Sequence, residues 1–378
     1  MSRVLIIISF ALLATKVLAQ NKKCLYTTAK DFSDSKQARI DMEDSIIIPV
    51  VVHVVYHSPA QNISDAQIYS QIRILNKYFN NIASANEYSE YSDIIAKANI
   101  FFGLAQYDYN DNPTTGITRT PTTMQRFAGL DITKPDQEGV SAWDPERFLN
   151  IWVGDLPDNV VGIAGNAVDN INFDGVIIDY QAFGTFGTAT SPTHLGKTLV
   201  HEIGHYLGLQ HLEGNGGCDS DDGIEDTPVQ VGSITSCYAT QHSCEQQSMV
   251  NNYMNLLDDD CDQFFTRGQV EHMGNFYLNH RPQLMGDINN VVSSLQVDNS
   301  GNSWQIIPNP ASQFIQLQWP GSFNQPCHFS IFSAQGQIIH ANTIENKQTI
   351  DISGILPGMY YLNVNDGEKM ITKKFIKQ

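Results

Sequence analysis

The sequence predicts an α+β chain built as two units, a mixed domain of sheet and helices followed by a small all-β sandwich. β-branched and turn-bounded extended runs, of which Ile46–Tyr56 is the longest, come first in the mixed domain. Two stretches open with capping boxes and repeat apolar residues at helical spacing, and a third carries histidines at that spacing. Residues 303–378 differ in kind, with short alternating strands between turn signals.

The first elements concern export. Met1-Ser2-Arg3, the apolar run Val4–Leu13 and Val17-Leu18-Ala19 describe a secretory signal peptide over 1–19, cut after Ala19. The run is too short to span a bilayer, and no later stretch is long and apolar enough to do so. The protein is therefore expected to leave the cytoplasm, which permits disulfides. Residues 20–45 are polar without a sustained period and read as a pro-segment or flexible lead-in.

The mixed domain is expected over 46–285. Ile46–Tyr56 has the pattern of a buried strand, with His53 and His57 as strand-region residues rather than ligands. Ser64-Asp65-Ala66-Gln67 forms a capping box for a helix that places Ile68, Ile72, Leu75, Tyr78 and Phe79 on one face. Further strands are expected at Asn99–Tyr107, Phe148–Val153, 162–165 and Gly175–Tyr180. Thr193 or Ser191 is the expected cap of the next helix, whose Leu199, Val200, Ile203, Tyr206 and Leu207 face the sheet. Thr266-Arg267-Gly268-Gln269 opens a last helix through about His280, and Arg281-Pro282 stops it. Residues 286–302 read as a linker by their Asn, Ser, Val and Gly content.

Chemistry concentrates in His201-Glu202-Ile203-Gly204-His205-Tyr206-Leu207-Gly208-Leu209-Gln210-His211, which reads H-E-x-x-H-x-x-G-x-x-H. Residues four apart share a helix face, so His201 and His205 can address one cation. Gly208 can end the helix in a left-handed conformation and turn the chain back to deliver His211. Three neutral imidazoles suit Zn2+ and leave one position for a water, with Glu202 placed as its general base. Glu225 is the rival third ligand, but it lies in a loop rather than on a second helix.

Cys218, Cys237, Cys244 and Cys261 crowd the segment after the motif, without C-x-x-C spacing. Two disulfides, each worth about 3 kcal/mol, are expected there, and the spacing alone allows three pairings. Asp219, Asp221, Asp222, Glu225 and Asp226 in the same loop offer hard oxygens for Ca2+, or form a merely solvated acidic loop. Cys24 stands alone in the pro-segment. Its thiol is a candidate latency switch that would occupy the open metal position, with an unpaired or cross-linked cysteine as the alternative. Forty acidic against 22 basic side chains, a net charge of −18, exclude nucleic acid and anionic membrane as partners through a general basic face.

The histidine motif followed by Asn252-Tyr253-Met254-Asn255 resembles the metzincin metallopeptidases and their methionine turn. Within them, Ile48–Tyr56, Asn62-Ile63-Ser64-Asp65, Asp226-Thr227-Pro228, Asn252-Tyr253-Met254 and Phe264–Gln269 resemble the pappalysin family and its ulilysin-like bacterial members. The resemblance implies a twisted mixed sheet and active-site helix over an irregular, disulfide-tied lower half. It implies the pairings Cys218–Cys244 and Cys237–Cys261, calcium in the lower half, and Met254 as an apolar floor beneath zinc. It also implies a pocket for a basic residue just after the scissile bond, with Asp258, Asp259 and Asp260 as candidates and Asp259 the first choice. Leu256 departs from the family, which usually carries a tyrosine there.

Residues 303–378 resemble a type A C-terminal sorting domain of the type IX secretion system, through Pro308-Asn309-Pro310, Gln335-Gly336-Gln337, Asp351–Tyr361 and Lys373–Lys377. This implies passage through the periplasm of a Bacteroidetes-type Gram-negative cell to the surface or medium, with the secretion machinery as partner. A carbohydrate-binding or adhesive module is the rival. The expected function is a secreted zinc endopeptidase acting on proteins or peptides. The alternatives are a surface binding protein with an unproductive metal site, suggested by Leu256, and a hydrolase of non-peptide amides.

Overall fold

Eleven residues rich in valine and isoleucine form the longest strand among the described residues, buried along nearly its whole length. The computed structural model describes residues 23–26, 46–80, 91–165, 173–214, 216–232, 241–261, 264–284, 305–318, 327–333, 338–344, 349–365 and 370–378. The signal-peptide region, the linker 286–302 and Cys237 lie outside the described residues. The strands are β1 (Lys23–Tyr26), β2 (Ile46–Tyr56), β3 (Ile95–Ala96), β4 (Ile100–Leu104), β5 (Ile117–Pro121), β6 (Leu149–Gly154), β7 (Val160–Gly165) and β8 (Gly175–Asp179). They continue with β9 (His242–Ser243), β10 (Gln246–Gln247), β11 (Phe265–Thr266), β12 (Gln305–Ile307), β13 (Phe314–Gln318) and β14 (Cys327–Ser333). The last four are β15 (Ile338–Ile344), β16 (Thr349–Asp351), β17 (Gly358–Asn365) and β18 (Met370–Lys377). The helices are α1 (Asp65–Asn80), α2 (Lys197–Tyr206) and α3 (Arg267–His280).

The main sheet runs β1-β7-β8-β6-β2-β4, with β5 also pairing β2. Its pairings are parallel except β7 on β8. A strand covered on both faces carries no polar alternation, and β2 shows why. Val50, Val52 and Val54 join the cluster that includes α1 and α2, while Val55 joins Phe127, Trp152 and Phe173, and Val51 joins Ala105 and Phe148. His53 points to the second side, buried between the Thr118 hydroxyl at 2.8 Å and the Asn150 side-chain oxygen at 3.0 Å.

Two expectations about helix starts are corrected. The Ser64 hydroxyl accepts the Gln67 N–H at 3.2 Å, which is one half of a capping box. The Gln67 side chain turns away from the helix start: its Oε1, the acceptor the other half needs, takes the Thr188 N–H at 3.2 Å, while its NH2 donates to the Phe183 carbonyl at 2.8 Å. Neither Thr193 nor Ser191 caps α2, which begins only at Lys197 after Gly196 at φ 72°. The acceptor comes from the Asp259 carboxylate, which takes the Leu195 N–H at 2.7 Å and the Lys197 N–H at 3.4 Å. By contrast, α3 opens with both halves of its capping box, Thr266 and Gln269, as read from the sequence.

The lead-in is not wholly without structure. Residues 23–26 form β1, which lies parallel to β7 with Cys24 opposite Gly162. The C-terminal unit has two antiparallel sheets, β12-β13-β16 and β15-β14-β17-β18. Ile306, Ile315 and Leu317 of one close against Phe329, Ile331, Leu362, Val364 and Phe375 of the other, as a small sandwich requires.

Candidate metal centre

All ten residues of α2 are buried, so its histidines are held in a water-poor site. The helix ends at Tyr206, and Gly208 at φ 91° turns the chain, a conformation that costs glycine little. The turn brings His211 back beneath the helix. His201 Nε2 lies 3.0 Å from His205 Nε2 and 3.1 Å from His211 Nε2, so three ring nitrogens converge on one point.

The opposite ring atoms fix which nitrogen carries the lone pair. His201 Nδ1 meets the Tyr253 carbonyl at 2.7 Å, and His205 Nδ1 meets the Leu209 carbonyl at 2.8 Å. A carbonyl only accepts, so both Nδ1 atoms donate and both Nε2 atoms face the centre unprotonated. Burial, together with the neighbouring imidazoles, holds His205 well below its ordinary pKa, and burial then His201 does the same for His211. These rings are therefore neutral at physiological pH, the form that binds a cation. Two inward lone pairs with the His211 Nε2 beside them fit Zn2+ with one position left over. Among the described residues these three alone form a metal-binding group, and Glu225 is exposed and apart from them.

Glu202 is fully buried, on the same helix, with its side chain against β7. Met254 packs closely against the helix: a Cβ on Gly204 would stand 2.5 Å from its Sδ. Its turn is fastened by links that sequence reading missed. The Asn252 side-chain oxygen accepts the Met254 N–H at 2.9 Å, and Asn252 exchanges amide hydrogen bonds with Gln269 at 2.8 and 3.0 Å. Gln269 was legible as the closing residue of the α3 capping box, which was the one available signal. Leu256, two residues beyond Met254, is half-buried.

The remaining expected site residues divide. Asp258 and Asp260 are exposed, whereas Asp259 is buried and accepts hydrogen bonds at the start of α2, so its carboxylate supports the helix instead of opening to solvent. Of the candidate calcium ligands, Asp226 is committed to α3, accepting from the Thr266 hydroxyl at 2.6 Å and the Gly268 N–H at 2.8 Å. Asp219 and Asp221 are exposed. Asp222 is buried; its Oδ1 accepts from Thr227 at 2.7 Å, while its Oδ2 has no protein partner among the described residues. Burial pushes its carboxyl up to about 7. Cys218 and Cys244 form the implied disulfide, with Cα atoms 5.4 Å apart, and Cys261 is also disulfide-bonded. Only the backbone of Cys24 is described, in β1.

Comparison with known proteins agrees with this geometry. A family profile described as pregnancy-associated plasma protein-A, peptidase family M43, matches residues 134–278, and one described as a secretion system C-terminal sorting domain matches 305–378. Mature mirolysin of Tannerella forsythia, solved with a cleaved peptide, is similar at TM-score 0.63 and 41% identity over 66% of this chain and 98% of that one. A promirolysin mutant from the same organism is similar at TM-score 0.62 and 39% identity, over 66% and 87%. An extracellular metalloprotease of Pyricularia oryzae is 28% identical over 256 residues, 63% of this chain and 77% of that protein.

Proposed function

The chain belongs to the M43, or pappalysin, family of metzincin metallopeptidases, and from that premise we propose that His201, His205 and His211 hold its catalytic zinc and that Glu202 is its general base. It is a metalloendopeptidase, secreted or attached at the cell surface through a type IX sorting domain. The convergence of three Nε2 atoms with two Nδ1 atoms tied to carbonyls carries the assignment of the ligands.

Bound there, zinc supplies a Lewis acid for the peptide carbonyl and lowers the pKa of the attacking water. Glu202 takes the proton from that water and passes it to the leaving amine, so no covalent intermediate with the protein forms. Burial of α2 holds His201, Glu202 and His205 in place, and Met254 packs against the helix from below. The edge of β7 is where an extended peptide would add as a further strand. In the chain as it stands β1 takes that edge, with Cys24 beside the residue that faces Glu202, which supports a latency role for residues 20–45. A basic side chain after the scissile bond would meet Asp258 or Asp260. Asp222, with an unmatched buried oxygen, is the residue that best suits calcium. We propose as domain limits 1–19 signal peptide, 20–45 pro-segment, 46–285 catalytic domain, 286–302 linker and 303–378 sorting domain.

Replacing Glu202 by Ala in the chain freed of its pro-segment tests the reading. Zinc content should stay at one per chain while cleavage of a denatured protein falls by about 10²–10⁴-fold. Retained cleavage would remove Glu202 from its role, and an inert parent protein would favour the binding reading.

A further inference from the structure

Gly162 lies in the middle of β7, and a methyl group there would have no room. The three heavy atoms nearest its ideal Cβ all belong to one side chain: Glu202 Oε1 at 2.3 Å, Cδ at 2.6 Å and Cγ at 2.6 Å. Such distances are far inside van der Waals contact. The Glu202 side chain, fully buried, thus fills the volume that any other residue at 162 would claim.

We infer that Gly162 is a positioning residue for Glu202, its missing side chain being the slot that aims the carboxylate at the metal centre. The two sides of the slot come from different elements, since β7 is anchored antiparallel to β8 with Gly162 opposite Ile178, while α2 carries Glu202 between two buried histidines. Neither element can retreat easily. A buried carboxylate with three rotatable bonds would otherwise have several rotamers, and a backbone wall at Gly162 limits them without adding a competing polar group. Strand hydrogen bonds along the outer edge of β7 use backbone groups that lie in the sheet, roughly perpendicular to the side-chain direction. A methyl at 162 should therefore disturb the base and leave peptide docking on that edge intact. The positioning role rests on Glu202 as general base, whereas the contact itself does not.

A double-mutant cycle on the full chain separates the two. Gly162→Ala should lower Tm by roughly 3–6 °C when Glu202 is present and by less than about 1 °C in the Glu202→Ala background, where the clash partner is gone. If Gly162→Ala alone fails to fold, folding of the double variant gives the same result. An equal cost in both backgrounds, or failure of both to fold, overturns the contact. In the chain freed of its pro-segment, Gly162→Ala should keep zinc and KM while kcat falls by at least about tenfold. An unchanged kcat overturns the inference if Glu202→Ala is inactive; activity in Glu202→Ala instead sinks the base assignment, not the slot.

Discussion

The guanidinium of Arg281 stands 3.7 Å over the ring of Tyr206, the residue that follows the second histidine of the active helix. Arg281 also pairs with Asp174 at 2.8 Å, so one buried side chain ties the end of α3 to α2 and to the segment leading into β8. Its stacking and its ion pair are both lost in Arg281→Ala, which should cost about 2 kcal/mol in denaturant unfolding. Arg281→Lys should recover only part, because a point charge lacks the planar face that stacks. Full recovery by lysine would show that charge alone matters here.

Asp259 and its neighbours should separate by readout. Asp259→Ala removes the acceptor at the start of α2 and is expected to cost about 1–2 kcal/mol of stability with cleavage preference unaltered. Asp258→Asn or Asp260→Asn should change the preference for a basic residue and leave stability within about 0.5 kcal/mol. Digestion of a peptide library alongside thermal unfolding compares them, and a preference change confined to Asp259→Ala would reverse the assignment.

Burial lowers His53 from 6.5 to about 4, so between those values the unfolded chain takes up a proton that the folded chain refuses. Stability should therefore fall as pH drops through that window, by about 3 kcal/mol in total, and show no contribution from this residue above it. Unfolding measured from pH 7 to 4 should decline less steeply in His53→Asn, and identical slopes would contradict the shift.

Asp222 has the opposite sign. Its folded carboxyl is raised from 3.8 to about 7, so its contribution is full at low pH and is lost as pH rises through that range. Calcium on the unmatched oxygen would offset the loss. With chelator present, the parent chain should lose stability relative to Asp222→Asn between pH 4 and 7, and added calcium should raise Tm more at pH 8 than at pH 5. No calcium response at pH 8 would end that reading.

For the pro-segment, Cys24→Ala in the full chain should raise peptide cleavage before any maturation. A full chain that stays equally inactive would mean that the thiol plays no part, and that β1 acts by covering the edge alone.

The metal centre was legible because its parts are local. One helix and one turn contain His201, Glu202, His205, Gly208 and His211, and their spacing is itself what brings the three rings together. Met254 was readable from its flanking asparagines and tyrosine. What the sequence concealed involves partners far apart along the chain. The cap of α2 comes from Asp259, so Thr193 was a reasonable local choice that distant chemistry overrode. The sequence offered Asp226 only as one of several loop acids, and the hydrogen bonds that join it to Thr266 and Gly268 on another element were not readable there. β1 escaped notice because four residues at a sheet edge need no apolar period of their own.

The same four residues have a kinetic meaning. A strand of that length has little hold on a sheet edge as a free peptide, but Lys23–Tyr26 is joined by covalent bonds to the strand it covers. Tethering gives it an effective concentration on the order of millimolar, which dilution does not change. In the latency proposed above, blockade would thus be insensitive to protein concentration during export. One cut between residues 27 and 45 would convert a saturating internal competitor into a weak external one, and the transition to activity would be governed by proteolysis instead of by affinity.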